Sequence, residues 1–180
     1  LLVVWGFYRN LFKLPDEIEE LVIKPLVWLI PVAFFVQKEK LGLSSLGITI
    51  KKLFPALYLA LALGTIFAVE GFIINALKYG GFNFSANIGA ANMWAALGLS
   101  TATAFSEEIA FRGYIFNRLW LVLKKEWLAN AITSIVWGIV HIPVAIFVWK
   151  LNLAGAVGYL ILTTIFGVGS AFVFARTRNV

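Results

Sequence analysis

The chain holds one histidine and nine carboxylates, and the few that stand within apolar sequence are where proton chemistry could occur. Glu107 and Glu108 are adjacent in FSEEIAFRGYIFNRL, residues 105–119. Neighbouring residues on a helix point about 100° apart, so the two carboxylates serve different purposes. Glu108 and Arg112 are four apart on one face, a spacing that permits an ion pair holding Glu108. Glu107 is left to face a cavity. His141 sits in SIVWGIVHIP, residues 134–143, within an uncharged segment. Its side chain is the one whose ordinary pKa allows proton transfer near neutrality. Trp137 precedes it by one helical turn and Ser134 by two, so the three share a face. Pro143, just beyond, removes the helical hydrogen bond to position 139 and opens the backbone close to the ring. Glu107 with His141 could polarise a water molecule, directly or through a bound divalent ion. Glu70, alone near the outer end of another apolar segment, reads as an interfacial or snorkelling residue. Cysteine is absent, which excludes a thiolate nucleophile, a disulfide framework and a cysteine metal site. One histidine is a sparse donor set for zinc, which takes three or four protein ligands.

Composition says what must position these groups. Of 180 residues, 61% are hydrophobic and 13% charged, against about 45–50% and about 25% in an ordinary soluble domain. A water-soluble domain of this length has too little interior to hide so much apolar surface. Disordered, coiled-coil and nucleic-acid-binding classes are excluded with it. About 20 helical residues cross the roughly 30 Å of hydrocarbon in a bilayer. Spans are predicted near 21–37, 53–77, 88–108, 128–149 and 153–175, with 1–8 as the end of a truncated span. Gly80-Gly81 and the 83–87 stretch are turn signals before the 88–108 span. Long continuous apolar runs argue against a β-barrel, which needs alternation. The expected fold is therefore all-α: a single polytopic transmembrane helical bundle with a catalytic cavity between helices. Lys24, near one end of the 21–37 span, reads as a snorkelling residue.

The net charge is +6, and its distribution sets an orientation. Lys38, Lys40, Lys51 and Lys52 fall in one connection, Lys124 and Lys125 in another, and Arg176 and Arg178 near the C-terminus, whereas the alternate connections hold little beyond Lys78 and Lys150. By the positive-inside rule the 38–52 loop, the 118–127 loop and the C-terminus are cytoplasmic. The 9–20 connection, with Asp16, Glu17, Glu19 and Glu20 against Arg9 and Lys13, falls outside. LGLSSLG, residues 41–47, and the 113–125 segment with Tyr114 and Trp120 read as interfacial anchors.

The pattern EExxxR in FSEEIAFRGYIFNRL resembles the signature of the CAAX-protease and bacteriocin-processing (Abi, type II CAAX prenyl endopeptidase-like) family of intramembrane proteases. Trp137-xxx-His141 resembles that family's FxxxH motif, with tryptophan in place of phenylalanine. ARTRN, residues 175–179, looks like the basic turn that precedes a further helix bearing an HxxxN/D-type motif, expected beyond Val180. The resemblance covers roughly residues 40–180. It implies that Glu107 is the principal catalytic glutamate, activating water with His141, and that Glu108 and Arg112 are the supporting pair. If a divalent metal such as zinc is used, Glu107 and His141 are its ligands in this chain, with the remaining ligands expected beyond residue 180.

The resulting expectation is an integral, multi-pass membrane endopeptidase that hydrolyses a peptide bond by glutamate- and histidine-activated water. Its partners would be membrane lipid and a protein or peptide substrate, membrane-anchored substrates included, and no nucleic acid. The alternative is a non-catalytic membrane scaffold or immunity protein of the same fold. A proton-coupled transporter is a third reading, because intramembrane glutamate and histidine also serve as relays. No internal repeat or paired broken helix of the transporter kind is evident.

Overall fold

Apolar runs this long satisfy their backbone polar groups internally only as helices, and among the described residues every regular element is helical. The computed structural model describes residues 7–8, 11–12, 14–81 and 92–180, apart from the side chains of Asp16 and Lys78. A helical turn, Asp16–Ile18, leads through a π-helical stretch, Glu19–Ile23, into α1, Lys24–Lys38. Pro25 sits in the first turn of α1, where its missing N–H costs nothing. Next come α2, Leu53–Tyr79, and α3, Met93–Glu108. The chain continues helically from α3 through a second π stretch, Ile109–Phe116, into α4, Asn117–Leu123. Then follow α5, Glu126–Pro143, a third π stretch, Val144–Val148, and α6, Leu153–Thr177. Asn92 and Asn152 cap α3 and α6, accepting the Trp94 and Gly155 N–H groups at 2.9 and 2.8 Å.

Among the described residues, three helices are long and apolar enough to cross a bilayer: Leu53–Leu77, Glu126–Val148 and Leu153–Thr177. The chain is thus an integral, multi-pass membrane protein. These three coincide with the predicted spans 53–77, 128–149 and 153–175. The predicted 21–37 span corresponds to α1 with the π stretch before it. The predicted 88–108 span corresponds to α3 from Met93 onward. Residues 88–91, the turn signals at 83–87, residues 1–6 of the truncated span, and Arg9 and Lys13 lie outside the described residues.

Helices in lipid associate by close packing and polar contacts rather than by escape from water, and small residues make that possible here. α5 and α6 form the most extensive helix pair. Gly167 of α6 lies against Ser134 and Trp137, and Gly138 of α5 against Leu160 and Thr164. α2 rests mainly on α6 and leaves its outer faces to lipid. A buried apolar cluster joins α1, the second π stretch and α5 through Trp28, Val32, Val36, Phe111 and Trp137.

Parts of the segments read as interfacial anchors also pack against the bundle. A 3₁₀ turn, Leu43–Leu46, buries Leu46 and docks on the second π stretch. Gly47, at φ +80°, ends the turn in the left-handed region. Phe116 is fully buried, whereas Leu121 and Val122 stay exposed. Polar bonds then tie three connections into one end of the bundle. Asn117 Nδ2 donates to the Ser45 carbonyl at 2.8 Å, and Arg178 Nη1 donates to Asn117 Oδ1 at 2.8 Å. Asn179 Nδ2 donates to the Thr49 and Lys51 carbonyls at 2.8 and 3.0 Å. Arg118 Nε and Tyr114 Oη both donate to Glu39, at 2.9 Å. The Arg118 hydrogen bond holds the Glu39 carboxyl below its ordinary range. The 38–52 loop, the 118–127 loop and residues 178–180 therefore share one end, as the charge pattern predicts.

A Cβ at Gly113 would lie 2.5 Å from the Leu46 backbone carbonyl, whereas one at Gly64 meets nothing within 4 Å. Gly113→Ala is therefore expected to destabilise by about 1–3 kcal/mol through overpacking. Gly64→Ala should be neutral or stabilising by up to about 1 kcal/mol through helix propensity. Unfolding of the purified protein in micelles checks both; equal stabilities would remove the docked turn from this account.

Candidate functional site

Each of the three π-helical stretches borders a residue with chemistry in it. Glu20 lies in the first, with Lys24 directly after it; Glu107 and Glu108 precede the second, which contains Arg112; the third begins just beyond His141 and Pro143. A π stretch inserts an extra residue per turn and re-aims the side chains around it. The polar groups beside these stretches, on α1, α3 and α5, face one interior.

At its centre is the Glu107 carboxylate, 6% exposed. Oε1 is 2.7 Å from Lys24 Nζ. Oε2 accepts the Trp137 indole N–H at 3.0 Å and lies 3.8 Å from His141 Nε2. That last separation exceeds a direct hydrogen bond and leaves both atoms within reach of a shared small group. His141 Nδ1 is 2.7 Å from the Trp137 carbonyl. A carbonyl oxygen only accepts, so the network assigns the proton of the neutral ring to Nδ1 and leaves the Nε2 lone pair facing Glu107. Residues 107 and 141, on separate helices in the sequence, thus meet inside the bundle.

Glu108 points elsewhere, as its 100° offset requires. Arg112 Nη1 is 3.1 Å from Glu108 Oε1, an ion pair in contact without hydrogen-bond alignment. The buried guanidinium stacks over the Trp137 ring at 4.5 Å, a cation–π contact. Arg112 thus contacts the same tryptophan that donates to Glu107. Ser134 is buried at the α5–α6 contact and donates to Asn130 Oδ1 at 2.9 Å, a packing role. Glu70 lines a smaller hollow of about 310 Å³ whose opposite wall includes His141, Tyr159 and Thr163.

Two site residues escaped the sequence reading. Lys24, read as snorkelling, is 5% exposed and points inward; Glu20, assigned to the outer connection, is 7% exposed. Lys24 Nζ bonds Glu20 Oε2 at 2.7 Å, and Thr103 Oγ1 donates to the same oxygen at 2.6 Å. The available signal was the i,i+4 spacing of glutamate and lysine. Glu20, Lys24, Glu107, Glu108, Trp137 and His141 all border one cavity of about 1000 Å³, whose remaining wall is mostly apolar.

As for a metal, Glu107 and His141 are the two N/O donors that face each other, and among the described residues no group of three histidine, cysteine, aspartate or glutamate side chains forms. A cation already sits against Glu107, in the form of Lys24. These two donors, with an ammonium against one of them, do not by themselves make a catalytic zinc site, which takes three protein ligands.

Apolar helices packed around a buried carboxylate and lysine and a half-buried histidine define a polytopic membrane protein with a polar site between its helices. A family model, Type II CAAX prenyl endopeptidase Rce1-like, matches residues 89–180, and the chain belongs to that family. The matched stretch contains Glu107, Glu108, Arg112, Trp137 and His141, while Glu20 and Lys24 lie before it. Comparison with curated proteins and with solved structures gives no match.

Trp137→Phe keeps a ring beneath Arg112 but removes the N–H donated to Glu107. The loss of a hydrogen bond to a charged, buried acceptor is expected to cost about 1.5–3 kcal/mol, read as a lowered unfolding midpoint of the purified protein. An unchanged midpoint would show that the indole N–H contributes nothing to holding the carboxylate.

Proposed function

We propose that the protein is an intramembrane endopeptidase in which Glu107 and His141 activate water for attack on a peptide carbonyl. The observation that carries this is the approach of Glu107 Oε2 to His141 Nε2 at 3.8 Å, on the wall of a cavity of about 1000 Å³. A water bonded to both atoms gives a proton to Glu107 as its oxygen adds to the carbonyl carbon. The carbonyl π pair moves onto oxygen. Collapse of this tetrahedral intermediate breaks the C–N bond as the proton passes from Glu107 to the departing amine. His141 orients the water through Nε2, and its Nδ1–H bond to the Trp137 carbonyl keeps the ring in that tautomer.

The family's description as a prenyl endopeptidase supports a substrate with a lipidated cysteine near its C-terminus, its chain lying against the cavity's apolar wall. The probe is therefore a farnesylated peptide ending in a CAAX sequence, offered to the protein in liposomes. Glu107→Gln and His141→Ala should each lower cleavage by about 10²–10⁴-fold, the usual contribution of general acid–base catalysis. Glu107→Gln should still fold, because Lys24 keeps Glu20 as its partner. Unchanged cleavage in either variant sinks the mechanism and favours the non-catalytic scaffold.

The orientation is proposed on the charge pattern, with the end that carries Lys51, Lys125 and Arg178 in the cytoplasm. The cysteine-free chain makes this simple to check. Lys125→Cys should react with an impermeant maleimide only from the cytoplasmic side, and Lys150→Cys only from the opposite side. The reverse labelling inverts the topology.

A further inference from the structure

Lys24 lies before the stretch that the family model matches, yet its ammonium touches the carboxylate at the centre of the site. Nζ stands 2.7 Å from Glu107 Oε1 and 2.7 Å from Glu20 Oε2. All three groups are buried. A carboxylate removed from water is costly unless it is both paired and hydrogen-bonded. Around Glu107, Trp137 supplies a neutral donor and His141 a lone pair, and the charge comes from Lys24. The direction of approach matters as much as the charge. Because Lys24 takes Oε1, the carboxylate is rotated so that Oε2 faces His141 and the cavity. Glu20 fixes the ammonium from its other side, and Thr103, one turn before Glu107 on α3, fixes Glu20. A compact ammonium with three donors can serve two carboxylates from one atom, which a planar guanidinium fork cannot do in the same space.

We propose that Lys24 is a positioning residue for Glu107, an ammonium on α1 that balances the carboxylate's charge and sets the rotation presenting Oε2 to His141. Glu20 and Thr103 are its anchor. This rests on the peptidase reading above and adds α1 to a site otherwise built from α3 and α5.

The experiment uses the full chain in liposomes with the farnesylated CAAX peptide as probe. Lys24→Met should lower kcat by about 10²-fold, the scale of a misplaced catalytic group, with KM little changed. Lys24→Arg, which returns the charge without the single-point geometry, should recover part of that loss. A folded Lys24→Met protein with wild-type kcat overturns the proposal, as does a loss confined to KM. If Lys24→Met does not fold, Glu20→Gln is read in its place: it leaves the ammonium but loosens its anchor, so kcat should fall while KM holds, and an unchanged kcat counts against the proposal. A second readout needs no activity. The melting-temperature shifts of Lys24→Met and Glu107→Gln should be non-additive in the double variant, as for groups in contact. Additive shifts overturn the positioning role. Non-additive shifts in a wild-type protein that cleaves no farnesylated peptide uphold the contact and its charge balance, and they count against the peptidase reading instead.

Discussion

A carboxylate inside an apolar bundle has to find within the protein the compensation that water gives it elsewhere. Much of this structure follows from meeting that demand at Glu107. The ammonium of Lys24 and the indole N–H of Trp137 approach its two oxygens from α1 and α5, so two helices converge on one side chain of a third, α3. The cavity lies beside this point of convergence, bordered by Lys24, Glu107 and Trp137. A charged residue that would be a liability in a lipid-facing position becomes the point on which the helices are organised.

The backbone participates through its irregularities. Regular helices repeat their side chains at 3.6-residue intervals. The π-helical stretches beside Glu20 and Lys24, Glu107, and His141 break that repeat locally, and Pro143 enforces one of them by removing a donor. Glycines take the complementary role at the helix contacts. Gly113 admits the Leu46 carbonyl, and Gly138 and Gly167 bring α5 and α6 together at the level of Trp137. Trp137 is thus packed from below, stacked on by Arg112 and bonded to Glu107. A phenylalanine, as in the motif the sequence resembles, could do the first two but could not donate.

Family membership and geometry bear on different parts of this account. The matched residues 89–180 include the carboxylates, the arginine and the histidine, which is why EExxxR and the downstream histidine were recognisable by pattern. The lysine that completes the charge balance comes from an earlier helix, and only spatial proximity ties it to the rest. A separate polar clamp, in which Asn117, Arg178 and Asn179 join the 43–51 loop to the end of α6, ties that loop to α4 and α6.

The sequence alone determined that the chain lives in a membrane, where its long helices lie, and which carboxylates and histidine stand in apolar surroundings. Those properties follow from composition and local periodicity, which act over a few turns of one helix. The Glu108–Arg112 pair was legible for the same reason, being four residues apart on one face. The tertiary structure decided what lies far apart in sequence: that Glu107 meets His141, that Trp137 donates to the carboxylate, and that Lys24 and Glu20 point inward rather than toward the membrane surface. A lysine near a helix end has two ways to satisfy its charge, by reaching water or by reaching a buried carboxylate. Nothing in its own neighbourhood distinguishes them. The choice belongs to the helix that arrives from 83 residues away, carrying Thr103 and Glu107 to its side.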